Sequence, residues 1–399
     1  MRLLFVHQYL GAMGGAETDI LLTARGLRQR GHELALLYGC PTGRNEEEWR
    51  EAFSICSPLA QDGAGAVREA LAAFGPDVVY FHSLAELGPL EELLGAGLPL
   101  VRRVHDHRMY CMRGYKYNYF TRAICNRPTS LHCLFPCLGF LGRNDNGGLP
   151  VKWVSYTAKL RELELNRRCH RLLVYSEDQK QQLVRNGFEP GKVIVHVPLQ
   201  IGGGTGEVSS LGAKNMVLFA GQVVRGKGVD LLLRALAKVT VPFQGRILGD
   251  GNHRPYCERL SARLGLSDRV RFQGYVPRSD LKKFYLEASV LAVSSVWPEP
   301  FGLVGREAMS YGVPVVAFDA GGIREWLVHG ENGFLVRWKD TDELAARIEE
   351  LLRDKELARR MGRRGLEMVM QQRESSQEID ALETLFSVVI AGRKRALIR

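Results

Sequence analysis

The sequence contains no apolar run of eighteen residues, roughly the length a helix needs to cross a bilayer. Its opening stretch, Met1-Arg2-Leu3-Leu4-Phe5-Val6-His7, is too short for the apolar core of an export signal and lacks a small-residue cleavage site. A cytoplasmic protein is expected, and its eight cysteines are then reduced thiols or metal ligands rather than disulfides. No repeat of solenoid period occurs. Acidic residues are the scarcer charge, 44 against 54 Lys and Arg, for a net charge of +10. That surplus favours an anionic partner such as a nucleotide, a phospholipid surface or a nucleic acid, without choosing among them. Apolar residues make up 45% and charged residues 25%, too apolar a balance for disorder, and 399 residues are enough for two domains.

Short apolar runs alternate with amphipathic stretches from the start: Leu3 to Val6, Ile20 to Arg30, Leu34 to Tyr38, Val67 to Phe74, Val78 to Phe81 and Leu98 to Val104. Strands buried on both faces read as continuous apolar runs, so this is the pattern of a parallel sheet wrapped by helices. The glycine-rich Gly202-Gly203-Gly204-Thr205-Gly206 reads as a linker, after which the pattern restarts with Val217 to Ala220, Arg246 to Leu248, Val270 to Phe272, Val290 to Ser294 and Val313 to Phe318. Two α/β, doubly wound domains follow, 1–205 and 206–370, and 371–399 is expected to be a helix that packs back toward the first. Such sheets bind ligands at the carboxyl ends of their strands, so a nucleotide in a cleft between the domains is the default expectation.

Two loops carry chemistry. Gly11-Ala12-Met13-Gly14-Gly15-Ala16-Glu17 follows the first strand and opens a helix, where glycines let the backbone approach a phosphate or sugar, though the spacing is not that of the dinucleotide fingerprint. A tight turn without a ligand is the other reading. The segment Trp297-Pro298-Glu299-Pro300-Phe301-Gly302-Leu303-Val304-Gly305-Arg306-Glu307 follows an apolar strand, and its prolines and glycine put a helix start near Gly302. Amides there can hold a diphosphate. Glu299 and Glu307 then offer carboxylates that accept hydrogen bonds from sugar hydroxyls.

This segment resembles the signature of glycosyltransferase family 4, enzymes of the GT-B fold with two Rossmann-like domains and an interdomain cleft. Other landmarks in the family's order are Gly14-Gly15-Ala16-Glu17, Arg30-Gly31-His32-Glu33, Lys227-Gly228-Val229-Asp230, Gly249-Asp250-Gly251, Gly274-Tyr275-Val276-Pro277 and Gly312-Val313-Pro314. The resemblance implies transfer of a sugar, with retention of configuration, from a UDP- or GDP-linked donor to a glycan, lipid-linked or small-molecule acceptor. It implies a setting in cell-envelope or exopolysaccharide synthesis, no cofactor and no nucleic acid. It assigns His105 and Glu299 to catalysis. Donor binding falls to Gly14, Gly15, Arg225, Lys227, Val276, Phe301, Gly302, Leu303, Val304 and Glu307, with Lys227 neutralising the diphosphate. The chain departs from the pattern at Gln222, where the family carries arginine; Arg225 is the candidate substitute.

An insertion of little regular pattern, about 108–150, holds Cys111, Cys125, Cys133 and Cys137, separated by 14, 8 and 4 residues. A structural zinc site and unligated thiols are both open readings. Aromatics interleave with cations from Arg108 to Arg122, which suits sugar rings, lipid headgroups or single strands and is assigned an acceptor-side role because it hangs from the first domain. The basic Arg393-Lys394-Arg395 suits peripheral contact with the inner face of the membrane. Against the transferase stand an anionic-membrane or nucleic-acid binder with a zinc module, and a phosphorylase or epimerase of the same fold.

Overall fold

The structure is a computed structural model that describes residues 1–59, 62–118, 120–143, 151–199, 207–212, 215–371 and 375–397. The chain forms two compact units. One comprises Met1–Gly114, Asn126–Gln200 and Glu374–Arg399, the other Tyr115–Cys125 and Ile201–Arg373. The division departs from contiguous bounds at 115–125, a piece of the insertion that is built into the second unit. The linker expected at 202–206 lies outside the described residues. Among those residues no helix is long and apolar enough to cross a membrane.

The first unit contains strands β1 (Arg2–Leu10), β2 (Glu33–Pro41), β3 (Ile55–Pro58), β4 (Val78–Ser83) and β5 (Leu100–Arg103), an antiparallel pair β6 (Leu141–Arg143) and β7 (Val151–Trp153), then β8 (Arg171–Val174) and β9 (Val193–Val195). Seven of them form a parallel sheet in the order β3-β2-β1-β4-β5-β8-β9, with Leu3 opposite both Leu34 and Val78. Leu3, Leu4, Phe5 and Val6 are at most 1% exposed, which is why β1 reads as an unbroken apolar run.

The helix Gly15–Gln29 buries Ile20, Ala24 and Leu27 in a cluster shared with Ile379, Leu382 and Phe386 of the final helix Ser375–Leu397. Each of the larger side chains, the leucines, isoleucines and Phe386, contributes about 1.5–3 kcal/mol. The turn Arg30 to Glu33 clamps the same helix, since Arg30 Nη1 lies 2.6 Å from Asp380 and 3.1 Å from Glu383, while His32 Nε2 meets Glu383 at 2.5 Å.

The second unit contains β10 (Met216–Ala220), β11 (Gln244–Leu248), β12 (Val270–Gly274), β13 (Ala288–Val293), β14 (Val315–Phe318) and β15 (Gly333–Val336), parallel in the order β12-β11-β10-β13-β14-β15. The chain steps outward from β10 to β12, then returns to add β13 against the other edge of β10. The loops leaving β10 and β13 therefore diverge at a topological switch point, the place where such sheets bind ligands.

Candidate active site

The loop after β10 closes on the 3-10 turn Arg225–Lys227. Gly228 follows at φ +66°, and a Cβ there would stand 2.0 Å from the Ser294 carbonyl oxygen, so only glycine lets this turn press against the end of β13. Lys227 Nζ reaches Glu299 Oε1 at 2.6 Å, and Ser295 Oγ donates to the same oxygen. Burial works to raise the Glu299 carboxyl, but the Lys227 ammonium and the hydrogen bonds from Lys227 and Ser295 outweigh it and hold the group below the ordinary carboxylate range. Glu299 and Lys227 thus form an ion pair with side chains 5% and 23% exposed.

The main chain of Glu299 is pinned independently. Its N–H donates to Ala320 O at 3.2 Å and its carbonyl accepts from Gly322 N at 2.7 Å. Trp326 braces the next residues, its Nε1 donating to Phe301 O at 2.6 Å while a Cβ on Gly305 would stand 2.0 Å from its ring. Gly302, at φ +88°, precedes the helix Leu303–Met309, whose first turn leaves Leu303 and Val304 half-buried. Arg225 is half-buried and Gln222 exposed.

Glu307 has the opposite electrostatics. It accepts from Arg278 Nη2 at 3.2 Å and Tyr285 Oη at 3.1 Å, yet burial pushes its carboxyl up, with Arg278 and Tyr285 opposing. Both partners come from the helix Arg278–Glu287, which follows the half-buried Val276. Two carboxylates eight residues apart are thus held at different proton affinities. The sequence reading missed Ser295, Trp326, Arg278 and Tyr285. Ser295, a polar residue just past the apolar run of β13, was legible as a strand-end position; the other three act across the fold and leave no local mark.

In the first unit, His105 lies just beyond β5 with both ring nitrogens engaged. Tyr175 Oη donates to Asp19 Oδ2 at 2.9 Å, so it accepts from His105 Nδ1–H across 2.6 Å, and His105 Nε2 accepts from His82 Nδ1–H across 2.9 Å. His82 Nε2 is buried and has no hydrogen-bond partner among the described residues. Burial holds both imidazoles neutral, far below their ordinary value, reinforced for His105 by His7, Arg103 and Arg102, and for His82 by His105 and His7. Arg103 supports the same network through Asp19 at 3.3 Å and the His196 carbonyl at 2.9 Å. Gly14 and Gly15 are exposed at the start of the first helix, while Glu17 turns inward to His7 Nε2 at 3.2 Å.

These histidines make stability depend on pH. His82 and His105 stay neutral in the fold, and burial lowers His196 to about 4. In the unfolded chain each protonates near pH 6.5, so below that value the unfolded state binds more protons and stability falls. The expected loss is about 1.4 kcal/mol per pH unit for each histidine between pH 6 and 5. Thermal unfolding scans at pH 7.5, 6.5 and 5.5 should show Tm dropping steeply over the last interval, and a flat profile would contradict the buried neutral imidazoles.

The four insertion cysteines are all half-buried. Cys125 belongs to the second unit and the other three to the first. Among the described residues no group of three or more His, Cys, Asp or Glu is placed to hold a metal ion. Burial, with Cys111 and Cys133 adding to it and Arg113 opposing, pushes the Cys137 thiol up. Arg113 helps to hold the loop, donating from Nε to Cys137 O at 2.9 Å and from Nη2 to Leu138 O at 3.0 Å. Elemental analysis of the purified protein distinguishes a structural zinc on Cys111, Cys125, Cys133 and Cys137 from unligated thiols.

Comparison with known families decides the classification. The family model for glycosyl transferases group 1 matches residues 207–368, and that for a glycosyl transferase 4-like domain matches residues 14–198. The chain belongs to glycosyltransferase family 4. Among its relatives, the D-inositol 3-phosphate glycosyltransferase of Streptomyces avermitilis is 33% identical over 225 residues, 51% of this chain and 48% of that protein. The N-acetyl-alpha-D-glucosaminyl L-malate synthase of Bacillus anthracis is 34% identical over 174 residues, 43% of this chain and 45% of that one. The chain thus spans about half the length of the curated relatives it matches. In fold, this family 4 chain is similar to Anabaena HepE, solved in complex with UDP-glucose, at a TM-score of 0.74 and 22% identity over 97% of this chain and 100% of that one. The architecture is GT-B, with a Rossmann-like parallel sheet in each unit.

Proposed function

We propose that this protein transfers a sugar from a nucleotide diphosphate sugar to a hydroxyl acceptor with retention of configuration. The observation that carries the reading is the Lys227–Glu299 pair at the switch point of the second sheet. A half-buried cation beside a pinned carboxylate suits an anionic leaving group carrying a sugar: Lys227 stabilises charge developing on the diphosphate, and Glu299 accepts from sugar hydroxyls. Arg225, Phe301, Gly302, Leu303 and Val304 complete the diphosphate side. Glu307, with the Val276 segment, takes the ribose and base. In this reading the leaving phosphate accepts the acceptor's proton, so no second carboxylate is needed as base, and His105 acts as a neutral imidazole positioned by His82 and Tyr175.

The donor is UDP-linked in the first instance, as the HepE complexes suggest, with GDP-linked sugars as the comparison. The acceptor is a glycan or lipid-linked glycan in envelope or exopolysaccharide assembly. Exposed Leu131, Phe135 and Trp153, at 70%, 69% and 77%, favour peripheral contact with the membrane. Calorimetric titration with UDP, GDP and a panel of their sugars tests the donor. One nucleoside diphosphate should bind, and its sugar should release that diphosphate only when an acceptor is present. Release with inorganic phosphate alone would indicate a phosphorylase, and an altered sugar still attached to the nucleotide an epimerase.

A further inference from the structure

The segment Tyr115–Cys125 interrupts the first unit's sequence and is built into the second. It forms a small self-braced ribbon. Tyr117 and Ile124 make an antiparallel bridge, Asn118 N donates to Ala123 O and Cys125 N to Lys116 O, each at 2.8 Å, and Asn118 Oδ1 accepts from the amides of Phe120 and Thr121 at 2.9 and 3.0 Å. A ribbon that satisfies its own backbone can present side chains rigidly.

Two of them act on the Lys227 turn. Tyr117, 4% exposed, lies against Gly226, where a Cβ would come within 3.3 Å of Tyr117 Cε1 and 3.6 Å of Trp297 Cβ. The main chain of Gly226 is thus sandwiched between a ring from the insertion and the residue that opens the Glu299 segment. The Gly226 carbonyl accepts from Val296 N at 2.8 Å and from Trp297 N at 3.2 Å. Arg122 Nη1 meets Asp230 Oδ1 at 3.1 Å and Oδ2 at 2.9 Å, with side chains 11% and 9% exposed. Asp230 stands in the first turn of the helix Val229–Leu236, which begins one residue after Gly228. Lys339 Nζ holds the ribbon from another side, donating to Thr121 O at 2.7 Å. Lys227 is therefore flanked on its N-terminal side by the Tyr117 contact and on its C-terminal side by the Arg122 ion pair.

We infer that Tyr117 and Arg122 are positioning residues that set the Lys227 turn for the donor's diphosphate, so that residues 115–125 of the insertion serve the donor site. The inference rests on the donor reading above. A charge that must meet a diphosphate oxygen loses its effect when displaced by about an ångström, which makes a packed ring and a buried ion pair on either side of it functionally sensitive.

The experiment measures UDP and GDP affinity by calorimetry, with kcat and KM for the active donor, in Tyr117→Ala, Tyr117→Phe, Arg122→Ala and Gly226→Ala. Each is made alone and in a Lys227→Ala background. Tyr117→Ala and Arg122→Ala are expected to weaken nucleoside diphosphate binding about tenfold in the native background and hardly at all when Lys227 is already absent. Tyr117→Phe should bind as wild type, since the ring makes the contact. Gly226→Ala disturbs the same sandwich from the other side and should match Tyr117→Ala, which keeps the test open if the tyrosine variant fails to fold. Unchanged affinity in Tyr117→Ala, or an equal loss with and without Lys227, would overturn the inference. If Lys227→Ala itself binds UDP and GDP as wild type does, the donor reading fails instead.

Discussion

A Lys227→Ala variant is expected to lose at least about a hundredfold in turnover, the cost of deleting one preorganised group that stabilises developing charge. It should also lose stability. Removing the ammonium leaves Glu299 buried without its counter-charge, and breaking a buried pair from one side costs about 3–5 kcal/mol. With Lys227 23% exposed, the lower figure is the better guide. The two losses separate in the double variant Lys227→Ala, Glu299→Gln. Neutralising the orphaned carboxylate should restore much of the Tm while activity stays low. Steady-state kinetics and thermal unfolding on the three proteins check this, and full activity in Lys227→Ala would remove the cation from the mechanism.

Asp19→Ala should produce a large loss of stability. Asp19 Oδ2 accepts from Arg103 Nη2 at 3.3 Å and from Tyr175 Oη at 2.9 Å, and Oδ1 accepts from Leu199 N at 2.9 Å. The side chains of Asp19 and Arg103 are 3% and 1% exposed, so the truncation strands a guanidinium in the core. A loss of about 3–5 kcal/mol is expected. At roughly 2–4 °C per kcal/mol for a unit of this size, the Tm of the first unit falls by about 6–20 °C. Asp19→Asn keeps the volume and part of the hydrogen bonding and should fall less. A Tm for Asp19→Ala within about 2 °C of wild type would mean that water reaches Arg103 and that the network is not dry.

Much of the architecture could be read in advance because its signals are local. A strand buried on both faces announces itself in four consecutive residues, as Leu3 to Val6 do, and the Glu299 to Glu307 segment is punctuated by prolines and glycines that act on their own backbone. What could not be read depends on partners far along the chain. Arg122 and Asp230 are 108 residues apart, and nothing near Arg122 distinguishes a cation bound for a buried carboxylate from one bound for solvent. His105 was visible as a strand-end histidine, but Asp19 and Tyr175, which determine which of its nitrogens carries the proton, lie on other elements.

The interleaving of the two units has a consequence for biosynthesis. Residues 115–125 leave the ribosome before Gly226 and Asp230 have been translated, and at about 5–20 residues per second the wait for their docking site is roughly 5–20 s. The first unit waits longer still, because Ile379, Leu382 and Phe386 join its core and follow Asp230 by about 150 residues in the sequence. A nascent chain therefore holds an unfinished first unit, with apolar helix faces open to chaperones, until Phe386 has been made.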